Sequence, residues 1–214
     1  MFVFDLDGTL VDSNGLWIEV DDEFLARRGL KVTTEYQDMV GRAIFPTAAQ
    51  YTRDYYHLDE DPQAIMDEWE DLARYHYTHL VPLKSGALEL LELCRKNGIP
   101  MALFTACRVP LCRAVLQRFD LERFFDYIVF AEEIGLEKSD LRCFLRLCEI
   151  IGTSPENCTF FDDSPNNCAT ARAAGVTTVG VYDHFYCHRQ EELKAASHHY
   201  VTSLEEVPSL LFRA

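Results

Sequence analysis

At 214 residues with 48% hydrophobic side chains, the chain can bury a sizeable core. Its formal net charge of −15 argues against a nucleic-acid or anionic-membrane partner. The same charge means that an anionic ligand needs a local cation or a few well-placed Lys and Arg side chains.

The apolar run Met1-Phe2-Val3-Phe4 reads as a buried strand that ends in Asp5-Leu6-Asp7-Gly8-Thr9-Leu10. Asp5 and Asp7 lie on one side of an extended chain, because side chains alternate with period two. Gly8 permits a tight turn and a close backbone approach to a ligand. Two neighbouring carboxylates repel, so the pair invites a cation or unequal pKa values.

From Asn14 the pattern turns helical, with Leu16, Trp17, Val20, Phe24 and Leu25 on one face and Gly29 as a stop. Asp12 and Ser13 offer N-cap chemistry ahead of it. The stretch 34–80 carries further helical segments rich in aromatics and no convincing strand. After Pro82 helices and strands alternate. Helices are expected at Ala87–Lys96, Pro110–Phe119, Leu141–Ile151 and Pro165–Ala174, and strands at Ile99–Phe104, Tyr127–Phe130, Cys158–Phe161 and Val176–Val181. Such alternation predicts an α/β fold with a doubly wound parallel sheet. The expected organisation is one α/β core, residues 1–13 and 83–214, interrupted by a helical insert at 14–82.

No signal-peptide pattern is present, and no run approaches the roughly 20 apolar residues of a membrane span. The eight cysteines show neither a CxxC pair nor zinc-finger spacing, so free, mostly buried thiols and a cytoplasmic location are expected.

Ligands of open α/β sheets bind outside the carboxyl ends of the strands. Those ends present Asp5 and Asp7, then Thr105-Ala106, then Asp162 and Asp163, with Lys138 in the loop after the third strand. Carboxylates without histidine or cysteine suit a hard cation such as Mg²⁺. A hydroxyl, a strand-end N–H and a lysine suit a phosphoryl group. A carboxylate facing that group can act as nucleophile, and a second one two residues on as general acid and base. Arg108 and Arg42 are candidate substrate contacts. His184, Cys187 and His188 lack a fourth ligand and read as a polar loop, and His198-His199 calls for the same reading. The segment from Glu191 onward is expected to be structural.

The set Asp5-Leu6-Asp7-Gly8-Thr9-Leu10, Thr105, Lys138 and Asp162-Asp163 resembles the haloacid dehalogenase-like superfamily in its phosphatase branch. The resemblance implies that Asp5 is the nucleophile and Asp7 the acid/base, while Thr105, Ala106 and Lys138 hold the phosphoryl group. It also implies that Mg²⁺ is held by Asp5, the carbonyl of Asp7, Asp162 and Asp163. The insert is similar to the small helical cap of phosphoglycolate phosphatase and β-phosphoglucomutase relatives. The implied activity is hydrolysis of a small phosphomonoester through an aspartyl phosphate, with a small phosphorylated metabolite as partner. A phosphomutase is the alternative, and a non-catalytic binding protein a lesser one. Two departures stand out. The lysine segment reads Glu137-Lys138-Ser139-Asp140-Leu141 without the usual prolines. Trp17 stands where mutase relatives carry a histidine. The oligomeric state is not legible in the sequence.

Overall fold

The computed structural model describes residues 1–40 and 45–211. The chain divides into two compact units, Met1–Asn14 with Val81–Ala214, and Gly15–Leu80.

The first unit opens with β1 (Phe2–Phe4). The second unit is helical: α1 (Leu16–Ala26), α2 (Thr34–Val40), α3 (Phe45–Tyr56) and α4 (Pro62–His79). Asp61 caps α4, accepting from the N–H of Gln63 at 2.7 Å, and Pro62 occupies the first turn, where its missing N–H costs nothing. Trp69 of α4 meets Phe24 and Phe45 edge-on at 5.6 and 5.5 Å between ring centroids. Arg28 lies over the Phe24 ring at 3.6 Å and reaches Glu60 and Glu68 at 2.8 and 2.6 Å. The apolar stripe read from the sequence is therefore the packing face of α1. Its N-cap differs: the helix starts at Leu16 with Gly15 as cap, which leaves Ser13 free for another bond.

The chain then returns to the first unit with α5 (Ala87–Lys96), β2 (Met101–Thr105), α6 (Val109–Arg118), β3 (Tyr127–Phe130), α7 (Ala131–Ile134), α8 (Leu141–Ile150), β4 (Thr159–Asp162), α9 (Pro165–Ala173), β5 (Thr177–Val181), α10 (Gln190–Ala196), β6 (His199–Val201) and α11 (Val207–Leu211). The six strands are all parallel in the order β3-β2-β1-β4-β5-β6. This is the doubly wound α/β fold expected from the alternation. Three details differ from expectation. β2 begins two residues later and extends to Thr105, α7 follows β3 directly, and the segment after Glu191 contributes the edge strand β6.

Aromatic side chains fill both faces of the central strands. Phe4 stacks on Phe161 at 4.5 Å, and Phe144 of α8 meets Phe104 and Phe160 edge-on at 5.7 and 5.1 Å. Seven of the eight cysteines are buried in this unit and none is in a disulfide. Among the described residues no helix is long and apolar enough to cross a membrane.

Candidate active site

The chain runs outward from β1 to β2 and β3, then crosses back to place β4 on the other side of β1. That reversal leaves a crevice beyond the carboxyl ends of β1 and β4, where open α/β sheets bind their ligands. The register Phe4↔Phe161 brings Asp5 level with Asp162, and the Asp5 N–H continues the ladder to the Phe161 carbonyl at 2.9 Å.

After Asp5 the hexapeptide folds on itself. The N–H groups of Leu10 and Val11 both donate to the Leu6 carbonyl, at 2.9 and 3.0 Å. Gly8 has φ 77°, and a Cβ there would stand 2.3 Å from Asp163 Oδ2 and 2.1 Å from Asn14 Nδ2. Glycine is therefore required twice over, by the backbone and by the carboxylate packed against it.

Asp5, Asp162, Asp163 and Lys138 are 7%, 0%, 3% and 5% exposed, so the charges are held almost dry. Lys138 Nζ donates to Asp5 Oδ1 and, at 3.3 Å, to Asp162 Oδ2. It also lies 5.0 and 5.3 Å from the Phe104 and Phe160 ring centroids, whose faces favour a cation. Burial opposes the ammonium, but Asp5 and Asp162 outweigh it and hold its pKa above the ordinary lysine range. Asp162 is occupied by protein donors. Oδ1 accepts from the Ser164 N–H at 2.8 Å, and Asn167 Nδ2 stands 3.2 Å from both oxygens. Asp163 has neutral partners, Thr9 at 3.5 Å and Asn14 at 2.7 Å. Burial first, then the charges of Asp162, Asp5 and Asp183, push its carboxyl well above the usual range. Burial likewise pushes Asp5 up to about 7, against Lys138 and with Asp162 and Asp7.

Asp7 is partly buried, and Ser13, expected as a helix cap, donates to its Oδ1 at 2.6 Å. Thr105 is fully buried at the end of β2, and its Oγ1 accepts from the Cys107 N–H at 2.9 Å. A hydroxyl that accepts there still has its single proton to donate. Ala106 is exposed beside it. Arg108 is about half exposed and 3.5 Å from Glu132, on the solvent side of the rim. Arg42 lies outside the described residues.

A family profile of haloacid dehalogenase-like hydrolases matches residues 1–175. The chain belongs to that family. Among relatives of this hydrolase, Hexitol phosphatase B of Escherichia coli is 26% identical over 182 residues, covering 84% of this chain and 82% of its own. The phosphoglycolate phosphatase of Agrobacterium fabrum is 29% identical over 188 residues, covering 84% and 78%. Fructose-1-phosphate phosphatase YqaB of Escherichia coli is 28% identical over 183 residues, covering 84% and 94%. Among solved structures, the β-phosphoglucomutase of Clostridium difficile superposes on the hydrolase with a TM-score of 0.75 at 19% identity, covering 99% and 98%. CbbY of Rhodobacter sphaeroides in complex with phosphate gives 0.79 at 18% identity, covering 96% and 95%. These superpositions establish the shared fold.

Sequence reasoning missed the supports of this site. Ser13, Asn14 and Thr9 sit within ten residues of Asp5, so their closeness was readable; their partners were not. Among the described residues no group of three His, Cys, Asp or Glu side chains is arranged to hold a metal ion. The donor set nonetheless suits a hard cation. Asp163, a dry carboxylate with neutral partners, and Asp5 are both pushed toward protonation, by burial first and then by the negative charge of neighbouring carboxylates, which at Asp5 Lys138 opposes. A divalent cation relieves that repulsion.

Proposed function

We propose that the chain is a Mg²⁺-dependent phosphomonoesterase acting on a small phosphorylated metabolite, a sugar phosphate or phosphoglycolate. The observation that supports it best is the buried Lys138 ammonium bonded to Asp5 at the switch point, with Thr105 on the neighbouring strand end. The names of the phosphatase relatives support the same class.

Asp5, Asp163 and the carbonyl of Asp7 would hold the cation, and Asp162 would chiefly hold Lys138. When bound, the cation supplies charge stabilisation to the phosphoryl oxygens. Lys138 adds a second positive charge to them, and the Thr105 hydroxyl and Ala106 N–H orient them. Asp5 attacks phosphorus in line, forming an aspartyl phosphate as the P–O bond to the leaving alkoxide breaks. Asp7, protonated at that stage, gives its proton to the alkoxide. It then takes a proton from the water that attacks the aspartyl phosphate, which frees inorganic phosphate and regenerates Asp5. The Ser13 hydroxyl bonded to Asp7 Oδ1 fixes that carboxyl's orientation.

A panel of phosphomonoesters assayed with Mg²⁺ and with EDTA tests the reading. Release of free phosphate that stops on chelation supports it. Full activity in EDTA overturns the cation requirement. Conversion of a hexose phosphate into its isomer without free phosphate supports the phosphomutase reading instead.

A further inference from the structure

Beyond the residues that match the family pattern, the rim carries a second ion pair, between a partly buried lysine and a buried carboxylate. Lys84 Nζ lies 2.7 Å from Asp183 Oδ2 and donates to the Tyr182 carbonyl at 3.0 Å. Asp183 is 3% exposed, and its other oxygen accepts from the Phe185 N–H at 2.9 Å. Both partners adjoin hydrogen-bonded backbone, Tyr182 donating its N–H to the Val201 carbonyl at 2.9 Å. The Lys84 N–H donates to the Leu10 carbonyl at 2.9 Å, one residue after Leu83 bridges Val11. Asp183 follows β5, whose Gly180 pairs with Asp162 of β4. Asp163 and Asp183 therefore leave adjacent parallel strands at the same edge of the sheet.

The charges on this rim follow a pattern. Five carboxylates are present, Asp5, Asp7, Asp162, Asp163 and Asp183. Lys138 serves Asp5 and Asp162, and Lys84 serves Asp183. Asp163, hydrogen-bonded to Thr9 and Asn14, feels the charge of Asp183 as well as those of Asp162 and Asp5.

We infer that the Lys84–Asp183 pair sets how tightly this rim holds a divalent cation, Lys84 cancelling a fifth carboxylate that β5 delivers beside Asp163. Lys84 and Asp183 are positioning residues that act through the local field and touch no reacting atom. The inference rests on the proposed cation site. It assigns a sign to each partner: Asp183 strengthens cation binding, and Lys84 weakens it.

The test is Mn²⁺ binding to the full chain at pH 8 without substrate, read as loss of the free-ion electron paramagnetic resonance signal, with circular dichroism confirming the fold of each variant. The wild type binds one Mn²⁺, and Asp163→Asn abolishes binding. Asp183→Asn leaves the Lys84 ammonium unopposed and weakens binding about tenfold, since a unit charge acts over several ångströms in a poorly screened site. Lys84→Met moves affinity the other way, to tighter binding. The double variant Lys84→Met/Asp183→Asn returns to within about threefold of wild type, because the two charges leave together. Should Asp183→Asn fail to fold, the sign of the Lys84→Met effect and the double variant still decide. A pair acting only as a mechanical clip gives both single variants the same sign and leaves the double variant no better than the worse single, which overturns the inference. Wild type that binds no Mn²⁺ overturns the cation site itself. Wild type that binds while Asp183→Asn is unchanged overturns only the role given to this pair.

Discussion

Asp5 in the α/β unit and Asp21 in the helical unit are both carboxyls pushed up to about 7, burial being the first cause in each. Their partners differ. Asp5 is bonded to a buried ammonium and crowded by other carboxylates, so its charge is contested from both sides. Asp21 accepts from the Tyr36 hydroxyl at 3.0 Å. That hydroxyl lies 3.0 Å from Thr52 Oγ1, which donates to the Ala48 carbonyl at 2.8 Å. While Tyr36 donates to an ionised Asp21 and Thr52 to Ala48, the Tyr36–Thr52 contact has no proton. Once Asp21 is protonated, its own proton takes the first contact and the Tyr36 proton passes to Thr52. The α/β unit thus packs opposed charges together out of water, whereas the helical unit completes a neutral chain of hydrogen bonds inside its own packing. One and the same residue type, equally disfavoured as an ion, sits among opposed charges in one place and among hydroxyls in the other.

Substitutions can break or sharpen that contrast. The largest effect is expected for Asp5→Asn, which should lower turnover roughly 10³-fold or more while circular dichroism shows the fold intact. Near-normal turnover would remove Asp5 as nucleophile. Asp7→Asn should lower kcat roughly 10²–10⁴-fold with a smaller change in KM, the signature of lost proton transfer. A variant whose rate is set only by KM would contradict that role. Lys138→Met strands Asp5 and Asp162 without a cation, so it should cost about 3–5 kcal/mol in denaturant unfolding besides abolishing activity. Unchanged stability would mean that the carboxylates simply take up protons.

The smallest effect belongs to the helical unit. Asp21 has its folded pKa raised from 3.8 to about 7, so the fold favours its protonated form. Stability from this group is fully present below pH 4 and declines as pH rises toward 7. Asp21→Asn should therefore flatten the stability–pH profile in that window, gain on the order of 1–3 kcal/mol at pH 8 and leave turnover near wild type. A profile that keeps its slope would place the proton elsewhere.

Much of the architecture was legible because it rests on patterns local in sequence. The apolar run before Asp5, the stop at Asn97-Gly98 and the apolar strand before Asp162 each announce themselves within ten residues. β6 was not legible, since His199-Tyr200-Val201 is short, half-buried and preceded by another histidine. α7 escaped because four residues carry no periodicity. Among site residues, Asp5, Thr105, Lys138 and Asp162 could be picked out by type and order. Ser13 was misjudged, because the helix it was expected to cap starts three residues later. The Lys84–Asp183 pair spans 99 positions, and no spacing rule connects a linker lysine with an aspartate beyond a distant strand. Pairwise contacts of that range are decided by the fold, and the fold is decided by many weak terms at once.

The strand order bears on how the protein comes to work at all. β1 is three residues long, yet it lies between strands that begin at Met101 and Thr159. Asp5 meets Lys138 across 133 positions, and Thr9 meets Asp163 across 154. Such closures are slow relative to local helix formation. A refolding chain therefore regains its helices well before its catalytic competence, and turnover is a clock for the final docking of the central strands.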